Sequence, residues 1–476
     1  MNTKDFRRHA HEIVDWMADY MESVESYPVR SQVQPGAIAA QLPAAAPNAP
    51  ESMDAIMRDF EAIVIPGITH WQHPNFFAYF PANSSPPSVL AEMLTATLGA
   101  NCLIWQTSPA GAEMETRVLD WLRQMIGLDD GFTGVIQDSA SSASLCALLC
   151  ARERATDWRI NEDGFSNAPP LAVYVSAETH SSVEKDAKIA GYGRQYVRKI
   201  ATDENFAMRP DALAAAIDAD RANGVVPAIV AATLGTTGVG AVDPLRAIGA
   251  ICQRENIYLH VDAAWAGSAL ILAEHRWMIN GIEAADSFVF NPHKWLLTNF
   301  DCSAHFIRDS ETLNRTLSIL PEYLKTKTAP DAEAIIDYRD WSIPLGRRFR
   351  ALKLWFVLRC YGVENLQRMI ADHIEWAKEL ADLVDAAPNF DITAERSLAL
   401  FNFRYHPQGM DDDAKLDALN ERLLNGINDD GRIYLTQNLV NGRYVIRFCV
   451  GQSNTTRDHV LRAWDTIQEI AGGLLD

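Results

Sequence analysis

The sequence has 476 residues, 48% hydrophobic and 22% charged, which is typical of a soluble globular protein with two or three domains. Its 42 Lys and Arg against 62 Asp and Glu residues give a net charge of −20, so we expect no nucleic-acid partner and no binding to anionic membrane. No apolar run approaches the length of a membrane span and no secretory signal is visible, so we expect a cytoplasmic protein.

The seven cysteines are scattered and mostly have apolar neighbours, which indicates free thiols in a reducing compartment. Cys146 and Cys150 lie one helical turn apart, but no second pair of ligands accompanies them. His70 and His73 are an equally weak pair. We therefore predict no metal site.

The N-terminal residues predict a helical arm. Apolar side chains recur every three or four positions from Phe6 to Val24, as in an amphipathic helix. The following stretch, 29–50, is rich in Pro and Ala and cannot form a core of its own. We predict that residues 1–84 form an arm that packs against another surface, plausibly a second subunit.

Residues 85–360 predict a large α/β domain in which short apolar runs alternate with helical patterns. Strands separated by helices favour parallel pairing in a sheet that is buried on both faces. The predicted strands are 170–176, 227–235, 257–263, 287–291 and 302–307.

Residues 361–476 predict a smaller α+β domain. Helical patterns occur near 363–385 and 413–429, strand patterns occur in SLALFNFRY and RYVIRFCV, and a last helix begins near Thr455 or Thr456. The pair Asn441-Gly442 lies between two apolar runs and predicts a β-hairpin.

Unusual polar residues follow four of the predicted strands in the large domain. Each has an ordinary explanation, such as a helix cap, a core histidine or a turn. Because functional residues of open α/β sheets gather at the carboxyl ends of strands, their joint occurrence favours a functional site. They are His180, Thr236, Thr237, Asp262, Asn291, His293 and Lys294.

Lys294 lies within SFVFNPHKWLLTNFDCSAHF (287–306), a stretch that otherwise resembles protein interior. Either the lysine reaches water at a strand end, or it is partly desolvated and serves as a nucleophile. Pyridoxal 5'-phosphate requires such a lysine as its imine partner, together with an acid at its ring nitrogen. Asp262 is a candidate for the acid, and His180 can stack on the ring.

A phosphate group also needs backbone amides and hydroxyls, and the N-terminus of a helix supplies them. QDSASSASLCALLCARER (137–154) is a run of small hydroxylated residues followed by a helical pattern. By contrast, GTTGVGAVD (235–243) lacks G-x-G-x-x-G, and no G-x-S-x-G is present, which excludes the usual dinucleotide and hydrolase motifs.

With these motifs, the chain resembles the aromatic-L-amino-acid decarboxylase family, the group II pyridoxal-phosphate decarboxylases. The resemblance implies an aspartate-aminotransferase-like fold (fold type I) and a homodimer with active sites at its interface. The N-terminal helix and connector would then embrace the partner subunit. The segments that carry the resemblance are HPNFFAYFPANSSPPSVLAEML, WQTSPAGAEMET, GVIQDSAS, THSSVEK, ATLGTTG, LHVDAAWAGSA, FNPHKWLL and DYRDWSIPLGRRFRALKLWFV.

The resemblance implies a role for each matching residue. Lys294 corresponds to the Schiff-base lysine, Asp262 to the partner of the ring nitrogen and His180 to the stacking histidine. Tyr323, in the polar segment 320–334, corresponds to the tyrosine that protonates Cα, where aldehyde-forming relatives have phenylalanine. The residues that fall at other cofactor contacts are Ala140, Ser141, Thr237, Asn291 and His293.

The resemblance also predicts a substrate pocket, although clustered aromatic residues are equally compatible with ordinary core. Ala82 departs from the threonine of the animal enzymes. Gly346 falls where plant relatives have glycine with indole substrates and serine with phenols, which favours tryptophan. The predicted pocket residues are Trp71, Phe77, Phe80, Ala82, Trp105 and Gly346.

These observations predict an enzyme that converts an aromatic L-amino acid to its amine and carbon dioxide. Tryptophan, dihydroxyphenylalanine, tyrosine and phenylalanine are the candidate substrates. The alternatives are an aromatic aldehyde synthase or another pyridoxal-phosphate lyase, and a non-catalytic binding protein with the same fold.

Overall fold

The computed structural model describes residues 1–319 and 336–474. The chain divides into a terminal unit and a central unit. The terminal unit comprises Met1–Pro81, Trp376–Thr393 and Asn402–Asp476, and the central unit comprises Ala82–Glu375 and Ala394–Phe401. The three-domain division predicted from the sequence, with an arm on a second subunit, stays a prediction.

The N-terminal segment is tied to C-terminal residues within the terminal unit. The Val29 N–H donates to the Gly431 carbonyl at 2.9 Å, and the Phe77 N–H donates to the Tyr434 carbonyl at 3.1 Å. The first bond satisfies a backbone group at the start of the Pro- and Ala-rich stretch, and the second does so for a residue that follows this stretch.

Eleven strands lie within the described residues. They are β1 (Thr133–Gln137), β2 (Leu171–Ser176), β3 (Val197–Ile200), β4 (Val226–Thr233), β5 (Tyr258–Asp262), β6 (Ser287–Phe290), β7 (Ser303–Ile307), β8 (Phe390–Ile392), β9 (Leu400–Tyr405), β10 (Thr436–Val440) and β11 (Arg443–Cys449).

The described helices alternate with the strands in the central unit and flank them in the terminal unit. They are α1 (Thr3–Ser23), α2 (Met53–Asp59), α3 (Pro86–Leu98), α4 (Pro109–Ile126), α5 (Ala140–Ala155), α6 (Arg159–Asp163), α7 (Ser181–Ile189), α8 (Pro210–Ala222), α9 (Leu245–Glu255), α10 (Pro292–Trp295), α11 (Ser310–Leu317), α12 (Arg350–Asp385, interrupted at Gly362), α13 (Asp413–Asp430) and α14 (Arg457–Gly472).

The central sheet has the strand order β1-β7-β6-β5-β4-β2-β3 and is mixed. The pairings from β6 through β5, β4 and β2 to β3 are parallel, whereas β7 is antiparallel to both β6 and β1. The expectation of parallel pairing is therefore wrong for β7. The short connection after β6 contains only the four-residue α10, too little for the helical crossover that a parallel return needs.

The sheet of the terminal unit has the order β10-β11-β9-β8. Its β10–β11 hairpin turns at Asn441 and Gly442, whose φ angles are 53° and 78°. Both positive values suit a two-residue turn of the primed type, so the predicted hairpin is confirmed. The predicted fold class, α/β with a smaller unit built on a second sheet, is also confirmed.

None of the described helices combines the length and apolar character that a membrane span requires. All seven cysteines are free, and only Cys360 is exposed.

Candidate active site

The strands of the central sheet bring the predicted polar residues to one edge. Thr233, near the end of β4, pairs with Asp262 at the end of β5, and Asp262 pairs with Val289 near the end of β6. Ala304 of β7 pairs with both Phe290 and Ile136, so β1 ends at the same edge as β6. The segments that follow β1, β2, β4, β5 and β6 therefore begin along this edge.

Lys294 lies on α10, the single helical turn that follows β6. Its side chain is half-buried, its N–H donates to the Asn291 carbonyl at 2.9 Å, and its own carbonyl accepts from Asn83 Nδ2 at 2.6 Å. Asn291 is buried, and its Oδ1 accepts from Ser303 Oγ at 2.7 Å. The lysine thus projects from a backbone that is hydrogen-bonded on both sides.

His180, Asp262 and Lys294 are close enough to influence one another electrostatically. Desolvation lowers the pKa of His180, the carboxylate of Asp262 opposes this effect, and the ammonium of Lys294 adds to it. Asp262 is 4% exposed, and its Oδ1 accepts from the Ala264 N–H at 3.0 Å. The structure therefore brings together the lysine, the acid and the ring predicted from the sequence.

The His180 ring is held by Ser182, which sequence analysis did not single out. His180 caps the N-terminus of α7, and its Nδ1 lies 3.3 Å from the Ser182 N–H and 2.8 Å from the Ser182 hydroxyl. Because a backbone N–H donates to Nδ1, the neutral ring carries its proton on Nε2. In the sequence, polar residues such as His180 and Ser182 just before a helical pattern indicate the start of a helix. This signal could have identified Ser182 as the partner of the His180 ring.

The N-terminus of α5 supplies amides at the same edge. Ser139 caps the helix by accepting from the Ser142 N–H at 3.2 Å, which leaves the amides of Ala140 and Ser141 without a partner inside the helix. Such amides suit a phosphate group. Thr237, also predicted at a cofactor contact, lies in the loop after β4 and is exposed.

His293 is buried and neutral. Its ring Nδ1 accepts from the Cys302 backbone N–H at 3.0 Å, and the His293 backbone N–H donates to the Cys302 carbonyl at 3.2 Å. Burial, reinforced by the charge of Lys294, lowers the pKa of His293 to about 3. At neutral pH this ring can position α10 and donate a hydrogen bond from Nε2, but it cannot act as an acid.

Asp186 is a buried carboxyl group near the site that sequence analysis missed. It lies on the inner face of α7 with Val183 and Ala187, and it is 4% exposed. Burial raises its pKa to about 7, and the charge of Asp262 contributes to the same rise. Its spacing from Val183 was the available signal, but a charged residue on an amphipathic helix ordinarily faces solvent.

Three predicted pocket residues lie in the terminal unit. Phe77 is fully buried and stacks on Phe448, with ring centroids 4.4 Å apart, so it packs in the core of this unit. Phe80 is also buried, whereas Trp71 is 38% exposed and stacks on Phe76 at 4.5 Å.

The other predicted pocket residues lie in the central unit, where Ala82 and Trp105 are half-buried and Gly346 is exposed. Asn101 connects the segment that contains Trp105 with the segment that contains Gly346. The Arg347 N–H donates to Asn101 Oδ1 at 2.9 Å, and the Thr107 hydroxyl donates to the Asn101 carbonyl at 2.8 Å. Tyr323 lies outside the described residues.

The family model for the pyridoxal-dependent decarboxylase conserved domain matches residues 35–406. This match covers most of the chain and includes every segment at the sheet edge described above. The chain belongs to the pyridoxal-dependent decarboxylase family.

The chain is similar along its whole length to two plant enzymes and to one solved plant structure. Phenylacetaldehyde synthase from Arabidopsis thaliana is 44% identical over 483 residues, which cover 100% of this chain and 97% of that protein. Tyrosine decarboxylase 2 from Narcissus pseudonarcissus is 43% identical over 483 residues, with 100% and 95% coverage. The crystal structure of Oryza sativa TDC with PLP and tryptamine has a TM-score of 0.96 and 37% identity, and the match covers 100% of this chain and 99% of that one.

The residues at the sheet edge fit the cofactor of this decarboxylase family. A lysine, a buried carboxylate and a neutral ring lie together, and two amides that have no partner inside α5 suit a phosphate. The predicted cofactor, pyridoxal 5'-phosphate, and the predicted class, a carboxy-lyase that depends on it, are confirmed.

Proposed function

We propose that this decarboxylase converts an aromatic L-amino acid to the corresponding amine and carbon dioxide. The observation that carries the proposal is the grouping of Lys294, Asp262 and His180 at one sheet edge of a pyridoxal-dependent decarboxylase. The names of the similar proteins support an aromatic side chain, since they include a tyrosine decarboxylase and a phenylacetaldehyde synthase.

Bound pyridoxal phosphate supplies an electron sink for the pair of electrons released when the bond from Cα to the carboxylate breaks. Asp262, at the end of β5 and 4% exposed, would hold a proton on the ring nitrogen because the attraction between opposite charges is strong away from water. His180, neutral with its proton on Nε2, would cover the ring face and keep water out. Lys294 would give up its place to the substrate amine and recover it after the reaction.

The fate of the substrate Cα decides between the amine and the alternative product, an aldehyde. Loss of carbon dioxide leaves an electron pair at Cα, and the phenol of Tyr323 would donate a proton there. Tyr323 lies outside the described residues, so its role rests on the resemblance. We propose the amine as the product because tyrosine stands at this position.

The proposal is tested with purified enzyme and four aromatic amino acids: tryptophan, dihydroxyphenylalanine, tyrosine and phenylalanine. We expect amine and carbon dioxide in equal amounts without oxygen uptake. Aldehyde, ammonia and peroxide with matching oxygen uptake would identify an aldehyde synthase instead. Bound cofactor without any carbon dioxide release would identify a binding protein.

Among these substrates we propose a preference for tryptophan, and Gly346→Ser tests it. Among the described residues, a Cβ at Gly346 would meet the Asn101 amide, at 3.6 and 3.9 Å, which is ordinary van der Waals contact. We expect the ratio of kcat/KM for tryptophan to kcat/KM for tyrosine to fall by about tenfold or more, the effect of one small group in a pocket.

Gly346→Ala is the matched control for this substitution because it adds the carbon without the hydroxyl. A shift with serine and not with alanine would assign the change to hydrogen bonding. An unchanged ratio in both variants would contradict a role for this position in substrate choice.

We also propose a cytoplasmic homodimer. The N-terminal segment exposes apolar side chains in the single chain, including Phe6 (56% exposed), Val33 (39%) and Leu42 (51%). These exposed apolar side chains support the proposal that another chain covers this segment.

Deletion of residues 1–50 should yield aggregated or inactive protein, because it removes this surface and the Val29 bond to Gly431. Phe6→Asp separates the two effects, since Phe6 is already exposed in the single chain. We expect its dimer to dissociate at concentrations where the wild type stays dimeric, as measured by analytical ultracentrifugation. A soluble, active monomer after the deletion would refute the proposal.

A further inference from the structure

The segment 83–88 is hydrogen-bonded to the segment 294–299, which begins at the proposed cofactor lysine. Asn83 Nδ2 donates to the Lys294 carbonyl at 2.6 Å, and Ser85 Oγ donates to the Leu297 carbonyl at 2.7 Å. The Asn299 N–H donates to Ser88 Oγ at 2.8 Å, and this hydroxyl donates in turn to Asn299 Oδ1. Asn83, Ser85 and Ser88 are all buried, at 0%, 1% and 0% exposure.

These contacts satisfy a backbone that cannot satisfy itself. The carbonyls at the end of any helix lack partners in that helix, and α10 is only one turn long. Leu297, just beyond it, has a φ of 56°, a conformation that costs energy for a residue other than glycine. A buried carbonyl without a donor is unfavourable, so the donors on 83–88 determine where this turn lies.

We propose that Asn83 is a positioning residue for Lys294: its amide holds the lysine carbonyl and thereby sets where the lysine amine meets the cofactor. The proposal rests on the proposed function only in taking Lys294 as the cofactor lysine. Asn83 acts on the backbone of Lys294, and Ala82, its neighbour in the chain, is a predicted pocket residue. The same peptide therefore links the substrate pocket to the lysine.

Asn83→Leu tests the proposal because it keeps most of the side-chain volume and loses the donor. The measurement is the rate at which added pyridoxal phosphate becomes fixable on Lys294, followed by borohydride quenching and peptide mass spectrometry. We expect this rate to fall on the order of 10- to 100-fold, the effect of a small displacement of a reacting group. The pH at which the visible absorption band of the holoenzyme changes should also move.

Asn420→Leu is the matched control. Asn420 is equally buried, donates from Nδ2 to the Tyr405 carbonyl at 2.8 Å and accepts from the Tyr405 N–H at 2.7 Å, but it lies in the terminal unit. Both variants should lose stability, whereas only Asn83→Leu should slow labelling and shift the absorption band. If Asn83→Leu is labelled at the wild-type rate, or if Asn420→Leu slows labelling equally, the proposal is overturned.

Should Asn83→Leu fail to fold, Asn83→Ser is measured in its place, since it retains a hydroxyl donor that is too short to reach as far. Slower labelling again supports the proposal, and wild-type labelling contradicts it. Neither measurement uses an amino-acid substrate. An enzyme that proves inactive on aromatic amino acids would refute the proposed function without affecting the result for Asn83.

Discussion

Replacing Lys294 with alanine should reduce turnover to background while the protein remains folded. The side chain is half-buried and projects from a turn whose backbone is held by other residues, so its loss leaves no large cavity in the core. In the proposed mechanism the lysine amine holds the cofactor and recovers it after each reaction, so the substitution removes the imine partner. Carbon dioxide release and the unfolding temperature are the two measurements.

Lys188→Ala is the control, because Lys188 is an exposed lysine on α7. It should retain activity and cofactor. In the wild type, borohydride should fix the cofactor on the peptide that contains Lys294, whereas Lys294→Ala should carry no label. A labelled peptide with another lysine would show that the assignment of Lys294 is wrong.

Replacing Tyr323 with phenylalanine should change the product rather than stop the reaction. Phenylalanine preserves the ring and removes the proton that the phenol would donate to Cα. Carbon dioxide release should continue, since the electron sink of the proposed mechanism depends on Lys294 and Asp262, which this substitution leaves in place. The electron pair at Cα would then reduce dissolved oxygen. One molecule of O2 and one of water would be consumed for each molecule of aldehyde, ammonia and hydrogen peroxide formed.

Oxygen uptake, peroxide and aldehyde should therefore appear together in Tyr323→Phe, with a matching loss of amine. Tyr444→Phe, which removes a phenol from the terminal unit, should behave like the wild type. A Tyr323→Phe enzyme that still makes mainly amine at a normal rate would mean that the proton comes from another group, and His180 in its protonated form would be the next candidate.

Overall similarity does not distinguish the two products. The aldehyde synthase and the tyrosine decarboxylase are 44% and 43% identical to this chain, each over an alignment of 483 residues. Two reactions that share carbon dioxide loss differ only in what reaches Cα afterwards. The residue at the position of the proposed proton donor therefore says more about the product than the overall sequence identity does.

Much of the chemistry was predictable from the sequence because its signals are local. Lys294, Asp262 and His180 each follow a short apolar run, and parallel strands deliver their carboxyl ends to one edge. The helix after β1 and the hairpin at Asn441 and Gly442 were likewise predictable, since serine caps and positive-φ pairs act over a few residues.

The strands β1 and β3 were not predicted because their sequences lack the local signal of a strand. Neither contains a long apolar run, since Val135 and Ile136 in β1 lie between Gly134 and Gln137, and β3 has only one buried residue, Ile200. The antiparallel direction of β7 was also unpredictable from its own residues. A strand buried on both faces has the same apolar pattern in either direction, and only its connection and its neighbours determine which way it runs.

The sequence by itself determined the cofactor chemistry and the class of fold, because periodicity and the order of motifs lie along the chain. Only the tertiary structure decided which residues support that chemistry. Asn83 contacts Lys294 across 211 positions, Asp186 is buried although its side chain is ionisable, and Phe77 packs on Phe448 in a core. Such contacts depend on which surfaces meet when the chain folds, and no local pattern of residues specifies them.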